Sequence, residues 1–200
     1  MVRKLLACAA CVASILALTS SILIAEETKA QAAPAAPGTY KIDPAHSFAM
    51  FRITHMNIGA TYGAISLPTG TFEETDEGVK MEVILDVNNI DTGNEARDKH
   101  LKGPDFFNVK QFPQMTFKST GSKKTDAGAE VTGDLTIKGT TKSITVKLDK
   151  VGEGKGMQGE SRVGYETIFT INRLEYGITW NPGAVGNDVK ISVAFEAIKQ

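Results

Sequence analysis

Three histidines, His46, His55 and His100, stand within twelve positions of Asp43, Asp91 or Asp98, a pairing from which metal sites and acid–base dyads are built. A tri-histidine site would need all three rings on one ion, each oriented by a neighbour. No compact motif such as H-E-x-x-H occurs, and the odd spacing of His46 and His55 would send them to opposite faces of one regular strand. Histidines bonded to loop backbone or to a carboxylate are the better-supported reading. A metal-dependent or acid/base enzyme using His46, His55 and His100 is the alternative. Nucleophilic chemistry has less to build on. Cys8 and Cys11 lie at the extreme N-terminus, no G-x-S-x-G elbow is present, and Ser47 has only the adjacent His46 as a base. Gly152 to Gly156 lacks the Lys-Ser/Thr ending of a phosphate cradle. No catalytic residue, metal ligand or cofactor is therefore assigned. Arg97-Asp98 and Arg173 read as architecture, an arginine with a nearby carboxylate pinning a helix or loop across one end of a domain.

The N-terminus carries a different signal. Arg3 and Lys4 precede an apolar run from Leu5 to Ala25, and Ala30-Gln31-Ala32 offers a small-x-small cleavage triplet. Residues 1–32 are expected to be a cleaved signal peptide, with an uncleaved anchor as the alternative, and residues 33–38 an Ala/Pro linker. Either way the domain at 39–200 is expected to work outside the cytoplasm, periplasmic or secreted, without a thiol. Loss of Arg3, Lys4, Lys29, Glu26 and Glu27 with the leader moves the formal net charge from -1 to -2. Near-neutral charge argues against nucleic acid as a partner.

What could position a site here is a sheet. Val79, Met81, Val83, Leu85 and Val87 alternate with mostly polar residues, as a half-buried strand does. The same rhythm recurs at 49–55, 131–137, 144–148, 163–171 and 189–195, with weaker strands near 61–72 and 114–120. Thr125 to Gly128 and Gly152 to Gly156 are hairpin chemistry. Roughly eight strands joined by short connections predict an all-β antiparallel barrel, closed so that no edge is left open. Thr92-x-x-Glu95 has capping-box spacing and predicts a short helix over residues 93–101, ended by Gly103-Pro104. A barrel of this size either fills its interior or replaces some side chains with one apolar ligand. Ala49 and Gly133 are small inward candidates that would leave room.

The motifs then line up with a known family. Tyr40-Lys41-Ile42-Asp43-Pro44-Ala45-His46-Ser47, followed by Phe51-Arg52-Ile53-x-His55, resembles the opening of the YceI family of polyisoprenoid-binding proteins. Ile90-Asp91-Thr92-x-Asn94-x-x-Arg97-Asp98-x-His100-Leu101, Asp105-Phe106-Phe107, Phe112-Pro113-Gln114-x-Thr116-Phe117 and Gly133-Asp134-Leu135-Thr136-Ile137-x-Gly139 are similar to its central signature. Ile171-Asn172-Arg173-x-x-Tyr176-Gly177-Ile178 and Val185-Gly186-Asn187-Asp188-Val189 resemble its closing segments. One departure is Gly63-Ala64-Ile65 followed by Pro68, where the family usually has Gly-x-Phe; Pro68 demands a bulge or an edge.

The resemblance implies an eight-stranded lipocalin-like barrel holding a long isoprenoid chain, head group near the mouth, with no enzymatic activity. It also implies a periplasmic location and links to isoprenoid quinone handling and stress responses. The expected partner is such a lipid, carried or sequestered; exchange would bring the domain against a membrane, and a homodimer is one assembly left open. From strand alternation, the expected ligand-binding residues are Phe51, Ile53, Val83, Leu85, Phe106, Phe107, Phe117, Leu135, Tyr165 and Phe169.

Overall fold

The alternating segments become strands in the computed structural model, which describes residues 38–200. The signal peptide expected over 1–32 and the linker through residue 37 lie outside the described residues. The elements are β1 (Gly38–Ile42), β2 (Phe48–His55), β3 (Gly59–Ser66), β4 (Thr69–Thr75), β5 (Gly78–Asp86), β6 (Ile90–Asp91), α1 (Glu95–Leu101), β7 (Gln114–Thr125), β8 (Gly128–Ile137), β9 (Thr140–Lys155), β10 (Ser161–Asn172) and β11 (Val185–Lys199). Antiparallel pairing runs β1-β4-β5-β7-β8-β9-β10-β11, and β11 pairs back onto β1, closing a barrel of eight strands.

Two of these strands are broken. β2 continues the path of β1 along β11, with Ile42 opposite Ala197 and Phe48 opposite Ala194. β3 pairs with β2 and leads into β4 through Leu67 and Pro68, where Leu67 takes a left-handed φ of 60°. Pro68 therefore occupies a gap in the ladder, where its missing N–H leaves no bond unmade.

The other break, at Asp43 to Ser47, is held by polar chemistry. Asp43 accepts from the Ala45 N–H at 3.1 Å, and buried Ser47 donates to the Asp43 carbonyl at 2.7 Å. Arg162 then reaches Asp43 at 2.7 Å and Glu196 at 2.9 Å, joining β10, β11 and the break, while His46 lies 2.8 Å from Asp43. His46 and Arg162 together hold the Asp43 carboxyl down at about 2. A depressed carboxyl stabilises the fold above its unfolded value of about 3.9 and loses that contribution as pH falls through its folded value. The melting-temperature gap between the protein and Asp43→Asn should thus be constant above about pH 5 and shrink steadily toward pH 2. A gap that ignores pH across this window would remove Asp43 from the acid response.

Two local expectations need correction. The helix starts at Glu95 and is capped by Asn94, whose side chain accepts from the Arg97 N–H, in place of Thr92. The Thr92 hydroxyl is already engaged by Arg97 Nε and Asp98, and Gly93 at φ 72° cannot be helical. Gly152 and Gly154 lie within β9, which runs to Lys155, so the turn falls beyond them; the β9–β10 register shifts between Gly164 and Tyr165, opposite this glycine stretch.

Candidate functional site

The interior is packed toward one end and opens toward the other. Toward one end Tyr40, Phe72, Tyr165 and Phe195 form an aromatic cluster with Phe72 fully buried. Toward the other, Phe106, Met115, Leu135, Tyr176 and Ile178 pack together. Above the aromatic cluster, and walled in part by this second group, runs a cavity of about 590 Å³, within the usual range for small-ligand sites. Val83, Phe117, Ile144 and Phe169 line it and are only half-buried, although they point inward. Inward side chains that still touch solvent-sized space mark an interior the protein does not fill itself.

Nine of the ten residues expected from alternation lie on this wall: Phe51, Ile53, Val83, Leu85, Phe106, Phe107, Phe117, Leu135 and Phe169. Tyr165 does not. It points inward but sits below the cavity, its ring 4.8 Å from Phe72 and its hydroxyl donating to Glu74 at 2.5 Å. Burial, reinforced by that carboxylate, pushes the Tyr165 hydroxyl well above its ordinary pKa. Gly133 does not leave room either, because the Phe117 ring occupies the space, 2.5 Å from where a Cβ would stand. Ala49 does line the cavity.

The rim is built from loops and α1. Ala96, Arg97, His100 and Leu101 of α1, His55 at the end of β2, and Trp180 between β10 and β11 border the opening. His100 stands edge-on to Phe106 and Trp180 at 5.1 and 4.9 Å and lies 2.9 Å from Asp105. Trp180 carried no alternation signal, being outside any strand; its indication in the sequence was only that it is the chain's single tryptophan. The three histidines do not converge. The metal-type cluster among the described residues is Asp43, His46 and Glu196, and His55 and His100 take no part in it. Arg162 already fills that cluster as the counter-charge.

Arg173 fixes the rim from beneath. The expectation of a carboxylate partner is replaced by four carbonyls, of Gly186, Ile178, Trp180 and Val185, at 2.7 to 3.0 Å. Burial lowers its pKa, yet a guanidinium stays charged, and its fork of donors suits several carbonyls where one carboxylate would use two. Arg97, expected in a similar role, bonds Thr92 through both its hydroxyl and carbonyl, and Asp98 accepts from the same residue. α1 is thus tied to the barrel through Thr92.

Phe51 keeps its place because Gly63 faces it across the β2–β3 pair; a Cβ at Gly63 would collide with the Phe51 ring and with the Thr92 methyl. Gly63→Val should drive that ring into the cavity and weaken uptake of an apolar chain about tenfold. Adding Phe51→Ala should restore most of the loss, and a double variant no better than the single one would break the link.

Similarity to known proteins agrees with this architecture. The YceI-like domain family model matches residues 40–197. Protein YceI of Salmonella newport and that of Salmonella arizonae are each 36% identical over 166 residues, covering 80% of this chain and 87% of theirs. Among solved structures, Burkholderia cenocepacia BcnA superposes with a TM-score of 0.68 at 24% identity, covering 78% of this chain and 98% of its own. The Campylobacter jejuni YceI protein gives 0.65 at 25%, covering 74% and 90%. A polyisoprenoid binding domain from Saccharophagus degradans, implicated in plant cell wall breakdown, gives 0.62 at 13%, covering 80% and 98%. With a family match across nearly all of the barrel and relatives above a third identical, the chain belongs to the YceI family.

Proposed function

We propose that this protein binds the hydrocarbon chain of an isoprenoid lipid, such as a prenyl quinone, outside the cytoplasm and carries or sequesters it without transforming it. The observation that carries this reading is the cavity itself, whose wall is made mostly of aliphatic and aromatic side chains, with the charged and imidazole side chains at one rim and the buried Thr167 hydroxyl a polar exception deeper in. Removing isoprenoid surface from water is worth about 25 cal/mol per Å², so a chain of several units is held without a charged partner. The fold shared with a polyisoprenoid binding domain supports the ligand class. Export rests on the charged-then-apolar start of the sequence, and a role in quinone handling under stress rests on the family resemblance. An enzyme built on three histidines finds no common site for them.

Lipid extraction and mass spectrometry of protein purified from its own host tests this. A prenyl lipid near one per chain is the expected result; delipidated protein that takes up no prenyl quinone from solution would overturn the reading. Delivery to a bilayer would use the rim, where Met56 and Ile58 stand 55% and 87% exposed at the tip of the β2–β3 hairpin beside His55. Ile58→Asp should slow transfer of quinone from vesicles several-fold and leave equilibrium affinity in detergent unchanged; unchanged transfer rates would place membrane contact elsewhere.

A further inference from the structure

We propose that the cavity measures its ligand: the layer of Met81, Leu148 and Phe195 is a stop that sets the longest isoprenoid chain the protein can bury. The inference rests on the proposed lipid-binding function and goes further, to the residues that decide chain length.

Three observations carry it. First, Met81, Leu148 and Phe195 belong both to the cavity wall and to the packed cluster below it, so they form the floor. Second, the floor is backed by rings. Phe72 lies 5.5 Å from Phe195, 4.8 Å from Tyr165 and 6.1 Å from Tyr40, with no solvent contact at all.

Third, the rings are locked by charge. Glu74 on β4, itself buried, accepts from Tyr40 on β1 at 3.4 Å, from Tyr165 on β10 at 2.5 Å and from Lys150 on β9 at 3.1 Å, and Lys150 also reaches Glu153 at 2.7 Å. Burial pulls the Lys150 ammonium down, but its bonds to Glu153 and Glu74 outweigh that and raise its pKa. Pushing the aromatic layer aside would strip a buried carboxylate of its partners, which costs far more than repacking aliphatic side chains. A floor of that kind gives way at no useful ligand energy, so units beyond the limit stay outside in water.

The test is a ladder of all-trans prenyl alcohols of increasing length, titrated into delipidated protein. In the wild type, affinity should climb about tenfold or more with each isoprene unit that enters and then stop climbing at a defined length. Phe195→Ala should move that break to chains longer by about one isoprene unit, because a phenyl ring and an isoprene unit carry similar numbers of carbons. Leu148→Phe, which adds bulk at the same level, should move it to shorter chains and keeps the test decisive if Phe195→Ala fails to fold. A break that stays at the wild-type length in both folded variants, or an affinity that climbs without any break, overturns the ruler while leaving lipid binding intact. No binding at any length overturns both.

Discussion

Phe106→Asp should weaken prenyl quinone binding by about a hundredfold or more, the largest loss expected from any single change on the wall. Phe106 is 7% exposed, lines the cavity, and packs edge-on against His100 and at 5.3 Å from Trp180, so a carboxyl placed there faces an apolar wall with the His100 imidazole as its polar neighbour. A carboxyl in that setting loses the apolar contact the ring gave and carries its desolvation cost into the cavity. Asp98→Ala provides the comparison. It removes an acceptor for the Thr92 N–H and hydroxyl at the base of α1 and touches the wall only through the helix, so about 1 kcal/mol of local stability is the expected cost. Calorimetric titration of both folded variants decides it, and equal affinities would mean that Phe106 does not meet the ligand.

The second large effect belongs to Arg173, which is 3% exposed. Arg173→Ala should destabilise the barrel by about 3–5 kcal/mol, lowering the melting temperature by roughly 10 °C, because four carbonyls, one buried and three part-buried, lose their donor at once. Arg173→Lys should recover only part of this, since an ammonium on a flexible stem cannot reproduce the planar fork. The loss should be shared by ligand binding, as Trp180 is one of the residues whose carbonyl Arg173 holds. Full recovery by lysine would show that charge alone matters, and the four-carbonyl account would fail.

Alternation made the wall legible in the sequence because it reports a physical variable, the face of the sheet on which each side chain falls. It carries no information on depth along the barrel. Tyr165 and Phe169 share a face of β10, yet one is locked into the floor by Glu74 and the other borders open space. Nothing in the local sequence of Glu74 announces that its carboxylate would be drawn in, because its partners come from β1, β9 and β10. Gly133 failed as a cavity former for a related reason: an absent side chain is room only if no neighbour on the next strand leans into it, and Phe117 does. The rim was the least readable part. Trp180, His100 and Arg173 sit on loops, a 3-10 turn and a short helix, where no period exists to assign a direction.

A vessel closed at its base imposes an order on traffic. Whatever end of a chain enters such a space last must also leave it first, and that end is the one left beside the rim. An acceptor could then tell full from empty by inspecting a few atoms beside Trp180, with no signal sent through the sheet.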